Sequence, residues 1–210
     1  MKFMKPIFNC SIAAILLLTL ISFGFSKQKE NSGYKIGLSM YSLRQMFKSG
    51  ELTAMDYPKF VKDTFGITKV DVWYGGFPKE EVNNPEFYKA LKQRADEEGV
   101  EIFLLMAGTL DVTNGNQAEL RGQAEKFFVD VDRAVLLGSS FVRVFVKAPT
   151  GDRDIALSNA VAGLQILSDY ALAKGIILAI EPGASDWTKD GKFLADISRT
   201  INHPSCKLMP

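Results

Sequence analysis

Apolar residues gather in six short runs that begin near Ile36, Thr68, Val100, Ser140, Ile176 and Cys206. The starts lie about 32, 32, 40, 36 and 30 residues apart, with five amphipathic stretches between them. That beat predicts βα units laid side by side as parallel strands. The strands are expected at residues 35–41, 68–73, 100–105, 140–146, 176–181 and 206–209. Helices are expected at 57–65, 86–98, 117–137, 154–174 and 191–201. Asp56 is the expected N-cap of the first, and Gly66, Gly99, Gly138 and Gly175 stop the first four. The polar stretch 111–116 reads as a loop, and Met106 and Thr109 as a loop following the third strand. Residues 176–181 are almost wholly apolar, as a strand covered on both faces should be. The first strand is followed by Ser42-Leu-Arg-Gln45, not by a G-x-G-x-x-G turn, which argues for a barrel and against a dinucleotide-binding sheet. The fold class expected is therefore α/β, of the TIM (β/α)8-barrel type, present as about its first five and a half βα units.

Residues 1–26 follow a different pattern. Lys2 and Lys5 precede a long apolar run, and Gly24 and Ser26 make a small-x-small cleavage site. This reads as a secretory signal peptide with the mature chain starting at Lys27 after cleavage, and 27–33 as a linker to a domain at 34–210. Export to the periplasm or beyond follows, without membrane attachment; an uncleaved anchor is the alternative. Cys10 falls in the signal and Cys206 in the mature part, so no internal disulfide is possible after cleavage.

Of the 210 residues, 47% are hydrophobic and 23% charged, the balance of a globular chain, and the net charge is +1. No basic block neutralises phosphates, so nucleic acid is not an expected partner.

Glu181 is the sharpest candidate for chemistry, an isolated carboxylate at the carboxyl end of an apolar strand. Burying it unpaired would cost several kcal/mol, so it must pair, bind a metal or face a water-filled mouth. A strand-end glutamate turned into solvent is the plain alternative. Arg143, between Val142 and Val144, should point into the barrel or its mouth and be paired. It either holds a substrate hydroxyl, orients Glu181, or serves as a structural ion pair. Lys147 lies just past the same strand, as a mouth residue or a solvated lysine. Tyr41 and Trp73 end the first two strands and could stack on a sugar or pack the core. Asp71 shares a strand face with Trp73, and Ser39 shares one with Tyr41. The single histidine, His203, sits at a helix end before Pro204, away from the strand carboxyl ends, where a charge–dipole role is ordinary. The mature chain contains no H-E-x-x-H, paired C-x-x-C or G-x-S-x-G.

The segment Ile36-Gly-Leu-Ser-Met-Tyr-Ser-Leu-Arg44, then Val70-Asp-Val-Trp73 and Ile180-Glu181, resembles the sugar phosphate isomerase/epimerase family, the xylose isomerase-like barrels. Asp190-Gly-Lys-Phe-Leu194 and Asn202-His-Pro-Ser-Cys206 are also similar to that group. The resemblance runs from about Tyr34 to Pro210 and rests on order and spacing. It implies an eight-unit barrel acting on a small sugar, with a divalent metal (Mn, Mg, Co or Zn) held by carboxylates and a histidine. Glu181 matches the family's fifth-strand metal ligand; the other three ligands have no counterpart in these residues. Where relatives often follow that glutamate with Asn-His, this chain has Pro182-Gly183. The implied chemistry is isomerisation or epimerisation, in which carboxylates shuttle a proton between adjacent carbons. The competing readings are a lyase or hydratase acting on an oxidised sugar, a non-catalytic carbohydrate-binding barrel, and a DNA-repair endonuclease, the last opposed by export and the lack of a basic face.

Overall fold

The computed structural model describes residues 35–209; the expected signal peptide, its cleavage point and the linker lie outside them. Five parallel strands form one sheet in chain order: β1 (Lys69–Trp73), β2 (Glu101–Asp111), β3 (Phe141–Lys147), β4 (Ile177–Glu181) and β5 (Cys206–Leu208). Seven α-helices connect or precede them: α1 (Arg44–Ser49), α2 (Tyr57–Phe65), α3 (Pro85–Glu98), α4 (Gln117–Glu125), α5 (Phe128–Leu137), α6 (Arg153–Ala173) and α7 (Gly191–Ile201). This is the parallel, sequentially ordered sheet of a partial TIM barrel.

Alternation along the strands sets the two faces. Val70 and Val72, Val142, Val144 and Val146, and Leu178 and Ile180 are all fully buried and pack in the hydrophobic core. The opposite face carries Asp71 and Trp73, Arg143, Phe145 and Lys147, and Ala179 and Glu181, because side chains two apart share a side. Helix starts are capped as elementary chemistry predicts. Asn84, Asn116, Asp152 and Asp190 each accept backbone N–H bonds from the first turn that follows. Gly99 and Gly138 close α3 and α5 in the left-handed conformation, at φ 67° and 66°.

Four expectations change. The first strand reduces to one bridge, Leu38 to Val70, followed by a 3-10 turn at Met40–Leu43. The reason is local: the Met40 N–H goes to the Asp71 carboxylate at 2.9 Å instead of to a neighbouring strand. The third strand is longer than expected, eleven residues instead of six, so Met106 and Thr109 lie within β2 and not in a loop. Its register with β3 shifts between Met106 and Thr109, around Ala107-Gly108. Such a bulge adds one residue and hides the alternation that marks a strand. The single helix expected over 117–137 is two, because Phe127 N–H bonds to Ala124 in a tightened turn that sets its ring over Gly108. Asp56 does not cap α2: it is itself helical, and Thr53 Oγ1 accepts its N–H while donating to its carboxylate at 2.6 Å.

Gly163 lets α6 come close to the end of β2, since a Cβ there would come within 2.7 Å of Val112 Cγ1. Gly163→Val should lower stability by about 1–2 kcal/mol despite the gain in helix propensity. Urea unfolding checks this, and an unchanged midpoint would mean the helix can slide away.

Candidate functional site

The loops and strand ends beyond β2, β3 and β4 surround an open cleft of about 570 Å³ lined by Thr109, Asp111, Phe145, Lys147, Glu181, Pro182, Gly183 and Ala184. Parallel α/β sheets carry their chemistry at this end. Register explains who meets whom: Phe145 pairs with Glu181, Thr109 with Phe145, and Asp111 with Lys147. The loop after Glu181 is tied down. Thr188 is fully buried and donates to the Val146 carbonyl at 3.0 Å, and Ala148 N–H donates to Ser185 Oγ at 3.2 Å.

Arg143 and Glu181 form the central contact. Arg143 Nε lies 3.0 Å from Glu181 Oε2, with the arginine side chain 7% and the glutamate side chain 33% exposed. The buried Nε–H is not aimed at that oxygen and has no hydrogen-bond partner, so the contact is electrostatic and not a directed bond. Arg143 Nη1 donates to the Ala107 carbonyl at 2.8 Å, and the guanidinium lies 4.3 Å over the Phe145 ring. Burial lowers the arginine pKa, while Glu181 and Asp71 oppose that shift. Lys147 and Asp111 pair at 2.9 Å on the rim. The Thr113 hydroxyl, helped by Lys147, holds the Asp111 carboxyl down to about 2.

Glu181, Arg143 and Lys147 therefore come together. Tyr41 and Trp73 do not join them: they meet each other edge-on, ring centroids 5.0 Å apart at 85°, at the end of β1, and neither lines the cleft. His203 lies at the far end of the sheet, with Nε2 3.2 Å from Asp169 and Nδ1 accepting Ser205 N–H.

Two residues were not among the candidates. Asp111 closes the bulged part of β2, and the Ala107-Gly108 interruption concealed that it would sit opposite Lys147. Asp71, 7% exposed, accepts Met40 N–H at 2.9 Å and Ser39 Oγ–H at 3.1 Å. Burial raises its pKa to about 6, against the lowering effects of those two bonds and of Arg143. Its place on the Trp73 side of the strand was readable; its burial was not.

Among the described residues no three Asp, Glu, His or Cys side chains converge on one point. Glu181 faces Arg143, Asp111 faces Lys147, and Asp71 is engaged by Ser39 and Met40. These residues do not by themselves fit a divalent metal.

No curated protein matches the chain significantly. Among solved structures, it is similar to the probable 3-DHS dehydratase AsbF from Bacillus anthracis, with TM-score 0.66, 14% identity, and 83% of this chain and 62% of that one covered. It is similar to the D-psicose 3-epimerase from Clostridium cellulolyticum H10, solved with D-tagatose, with TM-score 0.66, 13% identity and 84% and 63% covered. It is also similar to the IolI protein with a bound zinc atom, with TM-score 0.63, 14% identity and 83% and 62% covered. The chain thus spans a little over three fifths of each of these proteins. The profile of the xylose isomerase-like TIM barrel family matches residues 60–210. Sheet topology and sequence profile agree, and the chain belongs to the xylose isomerase-like TIM barrel family.

Proposed function

We propose that the complete protein is an exported sugar isomerase or epimerase and that Glu181 is its proton-transferring carboxylate. The observation that carries this reading is a carboxylate one-third exposed in a cleft at the strand carboxyl ends, backed by a buried arginine. Glu181 takes a proton from a sugar carbon next to a carbonyl and returns it to the neighbouring carbon while the hydroxyl proton passes to the carbonyl oxygen; inversion at a single carbon would take a second acid on the opposite face, from outside the described residues. Arg143 holds the carboxylate nearby by charge, and Lys147 offers donors to substrate hydroxyls. A divalent metal with Glu181 as one ligand belongs to the reading on the strength of the zinc-bound IolI neighbour. Its other ligands would come from outside the described residues. Export rests on the basic start and apolar run of residues 2–26, with the mature chain beginning at Lys27.

A lyase or hydratase acting on a carboxylate-bearing sugar is the second reading, favoured by the two cations, Arg143 and Lys147, on one face of β3. Incubation of the complete protein with aldoses and ketoses in D2O, with Mn²⁺ supplied, separates the readings. Interconversion with deuterium entering the sugar at carbon is expected. Loss of water from a sugar acid would favour the second reading, and neither result would overturn both.

A further inference from the structure

We infer that Asp71 is a positioning residue that holds Ser39 and Met40 so that Tyr41 closes against Trp73, making an aromatic wall outside the cleft lining, on the sheet face that carries Arg143 and Glu181, for the apolar face of a sugar reaching past the cleft. The inference rests on the sugar reading above. It starts from an anomaly of the fold. Residues 35–43 precede β1 yet join the sheet by a single bridge, with Leu38 N–H on the Lys69 carbonyl and Asp71 N–H on the Leu38 carbonyl. What fixes the next three residues is side-chain chemistry. Asp71 Oδ1 accepts both Met40 N–H and Ser39 Oγ–H. Met40, fully buried, accepts Trp73 N–H at its Sδ at 3.3 Å. The result is a clamp of one carboxylate and one thioether where a strand ladder would otherwise run.

The clamp sets the aromatic pair. The Trp73 indole is laid on Gly75, where a Cβ would come within 2.1 Å of the ring. Tyr41 meets it edge-on, and Arg44 lies 4.9 Å over the tyrosine. Tyr41 is 47% exposed and available to a ligand, while Trp73 is half-buried with one side against the core. Exposed aromatic faces suit the C–H faces of sugars, and a pair held in advance loses little freedom on binding. The groups that act electrostatically on Asp71 are Arg143 from β3 and Glu181 from β4, and Asp71 in turn acts on the buried phenol of Tyr57 from α2. The clamp and the cleft carboxylate thus share one cation.

The chain has two tryptophans, Trp73 and Trp187. In the complete protein with every tryptophan other than Trp73 replaced by phenylalanine, acrylamide quenching reads Trp73 alone. Adding Asp71→Ala should remove much of its protection and raise KM for the sugar about tenfold, the worth of one stacking contact, with kcat kept. Asp71→Asn, which retains an accepting oxygen, should restore protection. A folded Asp71→Ala protein with parental quenching and KM would overturn the inference. Should Asp71→Ala fail to fold, Ser39→Ala provides the test: partial loss of protection supports the clamp and parental protection overturns it. Loss of protection in a protein that turns over no sugar would sink the sugar reading and leave the clamp standing.

Discussion

Glu181→Gln in the complete protein should cut kcat by about a hundredfold or more, the usual worth of one positioned acid–base group. Glutamine keeps the shape of the side chain and loses only the charge and the basic oxygen. The fold should survive. Arg143 retains its bond to the Ala107 carbonyl and its place over Phe145, and Glu181 is exposed enough for water to weaken the lost ion pair. A melting curve close to wild type beside a collapsed turnover is the expected pair of results. Turnover within a few-fold of wild type would remove Glu181 from the chemistry whatever happened to the melting curve.

The second large effect concerns Asp71 and acid–base linkage. Burial raises its pKa from the ordinary 3.8 to about 6. Between those values the folded chain keeps a proton that the unfolded chain has released. Stability from this group is therefore complete below about pH 4 and is lost as the pH climbs through about 6. A shift of about two units corresponds to roughly 3 kcal/mol. Asparagine carries no such dependence. Asp71→Asn should thus gain on wild type by up to roughly 3 kcal/mol between pH 4 and pH 7. Urea midpoints of the two proteins across that range measure the difference, in which the titrations of other carboxylates largely cancel. Parallel profiles would mean that Asp71 ionises freely in the folded chain. A neutral-pH gain on losing the charge would also identify Asp71 as a costly group kept for its position.

Much of the sheet could be read from the chain because it depends on short-range rules. Fully apolar stretches such as Ile176 to Ile180, and glycines such as Gly99 and Gly138 that end helices, put β1 and β3 to β5 close to where they are. Two features could not be read. The segment at 35–41 has a strand-like pattern, but its ladder bonds go to a side chain 31 residues away, from Met40 to Asp71. The second half of β2 contains alanine and glycine at a bulge, so its pattern looked like a loop and Asp111 went unnoticed. Glu181, Arg143 and Lys147 stand out in the sequence because charge inside or just past an apolar strand is expensive and visible. Asp71 was also such a charge, but only three-dimensional packing shows how thoroughly it is covered.

The surplus residue in β2 decides parity for everything after it. Met106 faces Arg143 and Asp111 faces Lys147 across five residues on β2 against four on β3. Were the same residues paired one for one past Met106, Leu110 would stand opposite Lys147 at the rim, and the acid would fall one step beyond it. Length drift is therefore harmless at two places: indels in the 113–116 turn leave the ladder intact, and loss of one codon at 107–108 only irons out the bulge and keeps Asp111 opposite Lys147.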